Sequence, residues 1–184
     1  DQTDPFSAQH SKRVAEVSAA VAGHMGLGSD AVRTCDLTGN LVNIGKFFVP
    51  DELLTKKGGL SDDEMQVIRD GLLAGADLLE SVEFDVPVIK ALRQLQERWD
   101  GGGHPDGLTG DGIEEAARIV AVANAFVGMV SARAYRDPMS FKEAIDRIFG
   151  NADTSYDRRV VVALMDFIEN HEGREAWKHY SEAG

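Results

Sequence analysis

The sequence predicts an all-α helical bundle, and three observations carry that prediction. Apolar residues recur at three- and four-residue steps through most of the 184 residues, the spacing that gives a helix one apolar face. Two Ser-x-x-Glu signatures, Ser61/Glu64 and Ser140/Glu143, stand immediately before apolar runs, where a capping box opens a helix. No alternating apolar–polar run is long enough to make a strand.

Val14, Val17, Val21 and Met25 set the apolar face of a first helix that ends near Gly26 and Gly28. Ser29-Asp30 is a good N-cap pair for a second helix running towards Ile44, after which Gly45 loosens the chain. The Ser61 capping box opens a helix through Val67, Ile68, Leu72, Leu73 and Leu78. Pro87 begins the next, which carries Val88, Ile89, Leu92 and Leu95. Residues 101–112 hold six glycines and a proline and read as an irregular loop. From Ile113 to about Arg133 the apolar residues lie on more than one face, which predicts a helix central to the bundle. The Ser140 capping box then opens a helix through Ala144, Ile145, Ile148 and Phe149. A last helix runs from about Tyr156 through Val160–Val162, Leu164 and Phe167, and polar sequence trails off beyond it.

With 43% hydrophobic residues and no linker-like segment, the chain reads as one domain over residues 1–184. Because it begins at Asp1, it is expected to be a piece of a larger signalling protein whose other part holds a sensor or receiver. The net charge of −12 works against non-specific binding to nucleic acid or to an anionic membrane, since both need a positive field. No apolar run reaches the length of a membrane span. Cys35 is the only cysteine, so an internal disulfide is excluded and a reducing, cytoplasmic compartment fits best.

A bundle alone implies no activity, so the polar residues must. In order along the chain stand His10-Ser11-Lys12-Arg13-Val14, Ile44-Gly45-Lys46 with Val49-Pro50, and Gly75-Ala76-Asp77-Leu78-Leu79. Then come the loop Glu97-Arg98-Trp99-Asp100-Gly101-Gly102-Gly103-His104-Pro105-Asp106-Gly107-Leu108, the run Arg118–Ala123, and Arg133-Ala134-Tyr135-Arg136. Taken together these resemble the HD-GYP domain, a subgroup of the HD superfamily of metal-dependent phosphohydrolases, over roughly residues 6–168. The resemblance implies a helical domain of the HD type. Its active members hydrolyse cyclic di-GMP in bacterial second-messenger signalling, at a centre of two or three metals held by histidines and carboxylates. Adjacent metals lower the pKa of a water and neutralise charge on both oxygens of an in-line displacement.

Position by position, the ligands that the resemblance implies are missing. Val42 and Asn43 stand where the name-giving His-Asp pair belongs, and Gly71 where a histidine is expected four places before Gly75. Leu95 and Gln96 occupy the paired-histidine site, Asn124 replaces an aspartate of the central helix, and Phe6 replaces a glutamate sometimes used. His10 is the only retained ligand-type residue. One imidazole and three neutral amides do not hold a divalent transition metal as carboxylate and imidazole do. Val42, Leu95 and Phe6 would instead fill the space with apolar volume. The expectation is therefore no catalytic residue, no metal and no cofactor: a pseudoenzyme.

Taken singly, His10 reads as a hydrogen-bonded helix histidine, and Asn124, inside an apolar helix, as a remnant bonded to a neighbouring helix. His24, His171 and His179 read as surface residues without ligand spacing. Asp100, Asp106, Asp111, Glu114 and Glu115 read as a solvated acidic face.

On the basic side the resemblance points to Lys46, Arg133 and Arg136 as groups placed to meet ligand phosphates, and all three are present. Arginine's planar fork suits a phosphate and lysine adds a point charge. Cyclic di-GMP is the ligand so implied. The family's Gly-Tyr-Pro loop is associated with docking of diguanylate cyclase (GGDEF-type) domains; here the corresponding residues are Gly103, His104 and Pro105, and the change to His104 loses hydrophobic area. Three functions follow as expectations: a silent output or relay domain acting by protein contact or nucleotide binding, an active phosphodiesterase with an atypical centre, and a structural module that forms a homodimer.

Overall fold

A computed structural model describes residues 5–56, 58–132 and 137–181, with side chains from Gln9 onward. Among these residues the regular structure is helical: α1 (Pro5–His24), α2 (Ser29–Leu41), α3 (Asp51–Leu54), α4 (Asp62–Leu78), α5 (Val88–Arg93), α6 (Glu115–Val130), α7 (Phe141–Phe149), α8 (Arg158–Asn170) and α9 (Gly173–Trp177), with 3-10 turns at Ile44–Phe48, Gly110–Gly112 and Lys178–Ser181.

The centre of the bundle is α6. Nine of its sixteen residues are buried, from Ala116 to Val130, which places apolar contacts on several faces as the sequence predicts. Around it lie the buried faces of α1 (Val14, Val17, Val21), α7 (Ala144, Ile145, Ile148) and α8 (Val160, Val161, Leu164, Ile168). Fully burying an aliphatic side chain of this size is worth about 1.5–3 kcal/mol, so this cluster is the main source of stability. A smaller cluster, Ala76, Val86, Val88 and Leu92, joins α4 to α5. Leu95 packs against both clusters.

The α1–α2 pair is held differently, by small residues. A Cβ added at Gly39 would fall 2.5 Å from the Ala15 Cα, so the two backbones meet where only glycine allows it. Cys35 is fully buried beside this seam. Burial first, then the neighbouring carboxylates of Glu115 and Asp36, push its thiol up to about 12, which makes it inert as a nucleophile.

Both capping boxes form with both halves present, at Ser61/Glu64 and Ser140/Glu143. Three local expectations differ. The N-cap of α2 is Gly28, without a side-chain cap, and Ser29 is the first helical residue. Gly45 does not loosen the chain: it is buried within the Ile44–Phe48 turn, and a Cβ there would collide with the Leu72 backbone of α4. The sequence after α8 does not trail off. It folds back as α9 and a 3-10 turn, burying Trp177 and Tyr180. The Tyr180 hydroxyl donates to Glu16 Oε2 at 2.8 Å, and the Arg13 guanidinium lies 4.7 Å from the Tyr180 ring centre. Two aromatic anchors three residues apart outweigh the charged residues around them.

Candidate functional site

The positions where the resemblance implies metal ligands lie on α1, in the segment after α2, on α4, just past α5 and on α6. His10, projecting from α1, meets Asn124 of α6, its Nε2 lying 2.7 Å from Asn124 Oδ1. An amide oxygen only accepts, so the His10 Nε2 carries the hydrogen of this bond. That is the interhelical partner expected for Asn124, although Asn124 is exposed rather than enclosed in apolar surroundings. Asn43 donates through Nδ2 to Ser11 Oγ at 2.9 Å, and Gln96 Nε2 donates to the Arg69 carbonyl at 3.4 Å. Val42 and Leu95 are partly buried against the main core, as apolar filling requires. The side chain of Phe6 lies outside the described residues.

Gly71 is the most telling of these positions. A Cβ there would stand 2.5 Å from Val49 Cγ2 and 3.0 Å from the Phe48 carbonyl oxygen. The volume an imidazole would need is occupied by the turn before α3. The residues present therefore do not fit a two-metal centre: one imidazole bonded to an amide, two further amide side chains, two apolar side chains and a glycine with no room for substitution. No carboxylate stands at any of these positions to balance the charge of two cations.

The 97–108 loop is built on Glu97, only 6% exposed. Its Oε1 accepts from the Asp106 N–H at 2.7 Å and its Oε2 from the Leu108 N–H at 3.0 Å, while the Gln96 carbonyl accepts from the His104 N–H at 3.1 Å. Backbone bonds from Trp99 and Asp100 to the Ser155 and Thr154 carbonyls tie the loop to the segment before α8. Gly101, at φ +84°, takes a left-handed conformation, and a Cβ on Gly103 would collide with the backbone of Glu97 and Arg98, so the glycines are required by this connection. His104 is half-buried and Pro105 exposed.

Below the loop runs an ion-pair network. Asp157, 2% exposed, caps α8 by accepting from the Arg159 N–H and also pairs with Arg118 Nη1 at 2.6 Å. Burial alone would raise its pKa, but the hydrogen bonds from Arg159 and Arg118 hold the carboxyl below its usual range. Asp111 joins Arg118 to Arg159, and both guanidinium groups lie within 6 Å of the Trp99 ring centre (5.8 and 5.4 Å). A cleft between loop and bundle is lined by Glu97, Trp99, Arg118, Tyr156 and Asp157. The acidic residues of this region are thus only partly a solvated face. Asp100 pairs with Arg98, which with the Gly102 N–H holds it at about 2, and Glu114 pairs with Lys90. Glu97 and Asp157 carry no sequence signal that sets them apart from other acids; their roles come from burial.

Of the phosphate-binding candidates, Lys46 lies half-buried in the Ile44–Phe48 turn, beyond the end of α2. Arg133 and Arg136 lie outside the described residues. The surface reading of His24 needs correction: at the end of α1 it is only partly exposed. His171, just past α8, is exposed as expected, and both histidines turn towards Asp166. His179, on the last 3-10 turn, is exposed as expected.

The pattern of the HD domain family matches residues 1–160. The chain is 36% identical over 157 residues to the cyclic di-GMP phosphodiesterase response regulator RpfG of Xanthomonas campestris pv. campestris, covering 84% of this chain and 41% of that protein. It is 33% identical over 159 residues to a cyclic di-GMP phosphodiesterase of Thermotoga maritima, covering 85% and 43%. Among solved structures it is similar to an HDG"Y"P protein from Bdellovibrio bacteriovorus, with a TM-score of 0.71, 21% identity and coverage of 89% of this chain and 52% of that one. It is also similar to a cyclic GMP-AMP phosphodiesterase from V. cholerae, with a TM-score of 0.67, 17% identity and coverage of 88% and 44%. These structural likenesses speak for the fold. The chain spans about two fifths of the length of these curated relatives, and no helix among the described residues is long and apolar enough to cross a membrane.

Proposed function

The chain belongs to the HD domain family, and from that premise we propose that it is a catalytically silent domain of the HD-GYP type, a regulatory or output module of bacterial signal transduction that acts by protein contact. The observation that carries this reading is the pairing of His10 with Asn124, together with a Gly71 whose added Cβ would meet Val49 and the Phe48 carbonyl. A hydrolytic centre needs lone pairs converging on cations; here the imidazole spends its Nε2 hydrogen on an amide and the remaining positions offer no anion. The 97–108 loop, fixed from beneath by Glu97, is the surface offered to a partner, and a diguanylate cyclase domain is the partner that the resemblance implies. The same reading gives Lys46, Arg133 and Arg136 the phosphates of cyclic di-GMP, a ligand class that outlasts the reaction because it needs cations on side chains rather than metals.

The test is turnover of cyclic di-GMP and of a chromogenic phosphodiester by purified protein with added manganese(II) or iron(II), alongside calorimetric titration of cyclic di-GMP. The expected result is no turnover above buffer, with binding that weakens in Arg133→Ala. Turnover that disappears in His10→Ala overturns the silent reading in favour of an active phosphodiesterase, and an Arg133→Ala variant that binds as well as the parent overturns the phosphate assignment.

A further inference from the structure

His24, Asp166 and His171 meet where the end of α1 packs against the end of α8. His24 Nε2 stands 2.7 Å from Asp166 Oδ2, and His171 Nε2 stands 3.5 Å from the same oxygen. The three potential ligand atoms all lie within 4.8 Å of one another. We propose that these residues form a site for a single divalent transition-metal ion of the zinc class, remote from the family's centre. His10 and His24 are on one helix, and the fourteen residue steps from one to the other span about 21 Å at the α-helical rise.

The chemistry of the donor set points to that class. Two imidazoles and one carboxylate are the ligands zinc and its first-row neighbours take, and three protein ligands leave one position for water. With metal–ligand bonds of about 2.0–2.2 Å, tetrahedral donors stand roughly 3.3 Å apart. The His171–Asp166 separation of 3.5 Å is already close to that value, and the 2.7 Å His24–Asp166 hydrogen bond would open by roughly 0.6 Å as a cation replaces its hydrogen.

The surroundings orient the ligands. The other carboxylate oxygen, Asp166 Oδ1, accepts from Asn170 Nδ2 at 2.7 Å, leaving Oδ2 as the oxygen turned to both imidazoles; outer partners of this kind fix a ligand's orientation. The Phe167 ring lies edge-on to His24, with ring centres 5.5 Å apart, and stacks on His171 at 6.3 Å. The two imidazoles themselves are 4.6 Å apart. The chain leaves the helix at His171, with φ −129° and ψ −158°, which returns that side chain towards Asp166. At 47% exposure His171 leaves the site open to solvent, and His24, at 21%, forms its inner wall.

The experiment is calorimetric titration of the chelator-treated full chain with zinc chloride, paired with cobalt(II) absorption spectra and thermal melts. Saturable binding of one equivalent is expected, with a tetrahedral-type cobalt spectrum and a higher melting temperature. His171→Ala and His24→Asn should each weaken binding by at least about 10-fold and abolish the thermal gain, while His10→Ala binds zinc like the parent. His171 is half exposed, so its variant keeps the fold, which circular dichroism checks independently. Absence of saturable binding, or binding that survives both the His24 and His171 variants, overturns the proposal. So does binding lost in His10→Ala, which would move the ion to the other end of α1.

Discussion

Replacing Glu97 by alanine should unpin the 97–108 loop. The Glu97 carboxylate, 6% exposed, accepts the N–H groups of both Asp106 and Leu108. A hydrogen bond to a charged group contributes about 1.5–3 kcal/mol. The loop can recover part of that by opening both N–H groups to water, so the net cost of Glu97→Ala is about 2–4 kcal/mol. For a domain of this size each kcal/mol moves the melting temperature by about 2–4 °C, which places the variant roughly 4–16 °C below the parent. Glu97→Gln keeps one accepting oxygen and points an NH2 at the second N–H, so about half of that loss is expected. Thermal melts read the magnitude, and amide hydrogen exchange locates it: protection should fall at Asp106 and Leu108 and hold in α6. If Glu97→Ala melts within about 2 °C of the parent and both amides keep their protection, the carboxylate does not hold the loop and the reasoning fails. Contact with a partner through that loop should weaken in the same order, alanine more than glutamine.

Asp157 makes stability depend on acid. Its folded carboxyl is held below the ordinary value by Arg159 and Arg118 despite its burial, so its contribution is full above the unfolded pKa of about 3.9 and is lost as pH falls through the lower folded value. Urea melts at a series of pH values should therefore show the parent well above Asp157→Asn at neutral pH and the two converging below about pH 4; a gap that stays constant into acid would contradict this. Gly71→His restores the imidazole the family resemblance implies, yet its Cβ must displace Val49 and the Phe48 backbone. Overpacking of this kind costs about 1–3 kcal/mol, so a lower melting temperature with no gained hydrolysis is expected, and a variant as stable as the parent would show that the turn before α3 yields.

The sequence by itself determined the helical class, the order of the longer helices and the starts of α4 and α7, because apolar periodicity and the Ser-x-x-Glu boxes are local: each is decided within a turn or two of helix. It also shows which residues, Val42, Gly71, Leu95, Gln96 and Asn124, stand at the positions where the resemblance implies ligands. What the tertiary structure decided was which residues meet. Nothing in the spacing of His24, Asp166 and His171 brings them together; the crossing of α1 and α8 does. Glu97 and Asp157 look like any other acids until burial leaves each as the acceptor for neighbouring N–H groups. Trp177 and Tyr180 sit in a polar tail whose docking depends on a surface made by α1 and α6. Gly45 reads as a point that loosens the chain, but a Cβ on Gly75 would lie 2.5 Å from the Gly45 backbone, so the two glycines are where two segments touch. Local signals record the free energy of one segment, whereas close approach, burial and ligand geometry belong to pairs of segments far apart in the chain, and those pairs exist only once the bundle has closed.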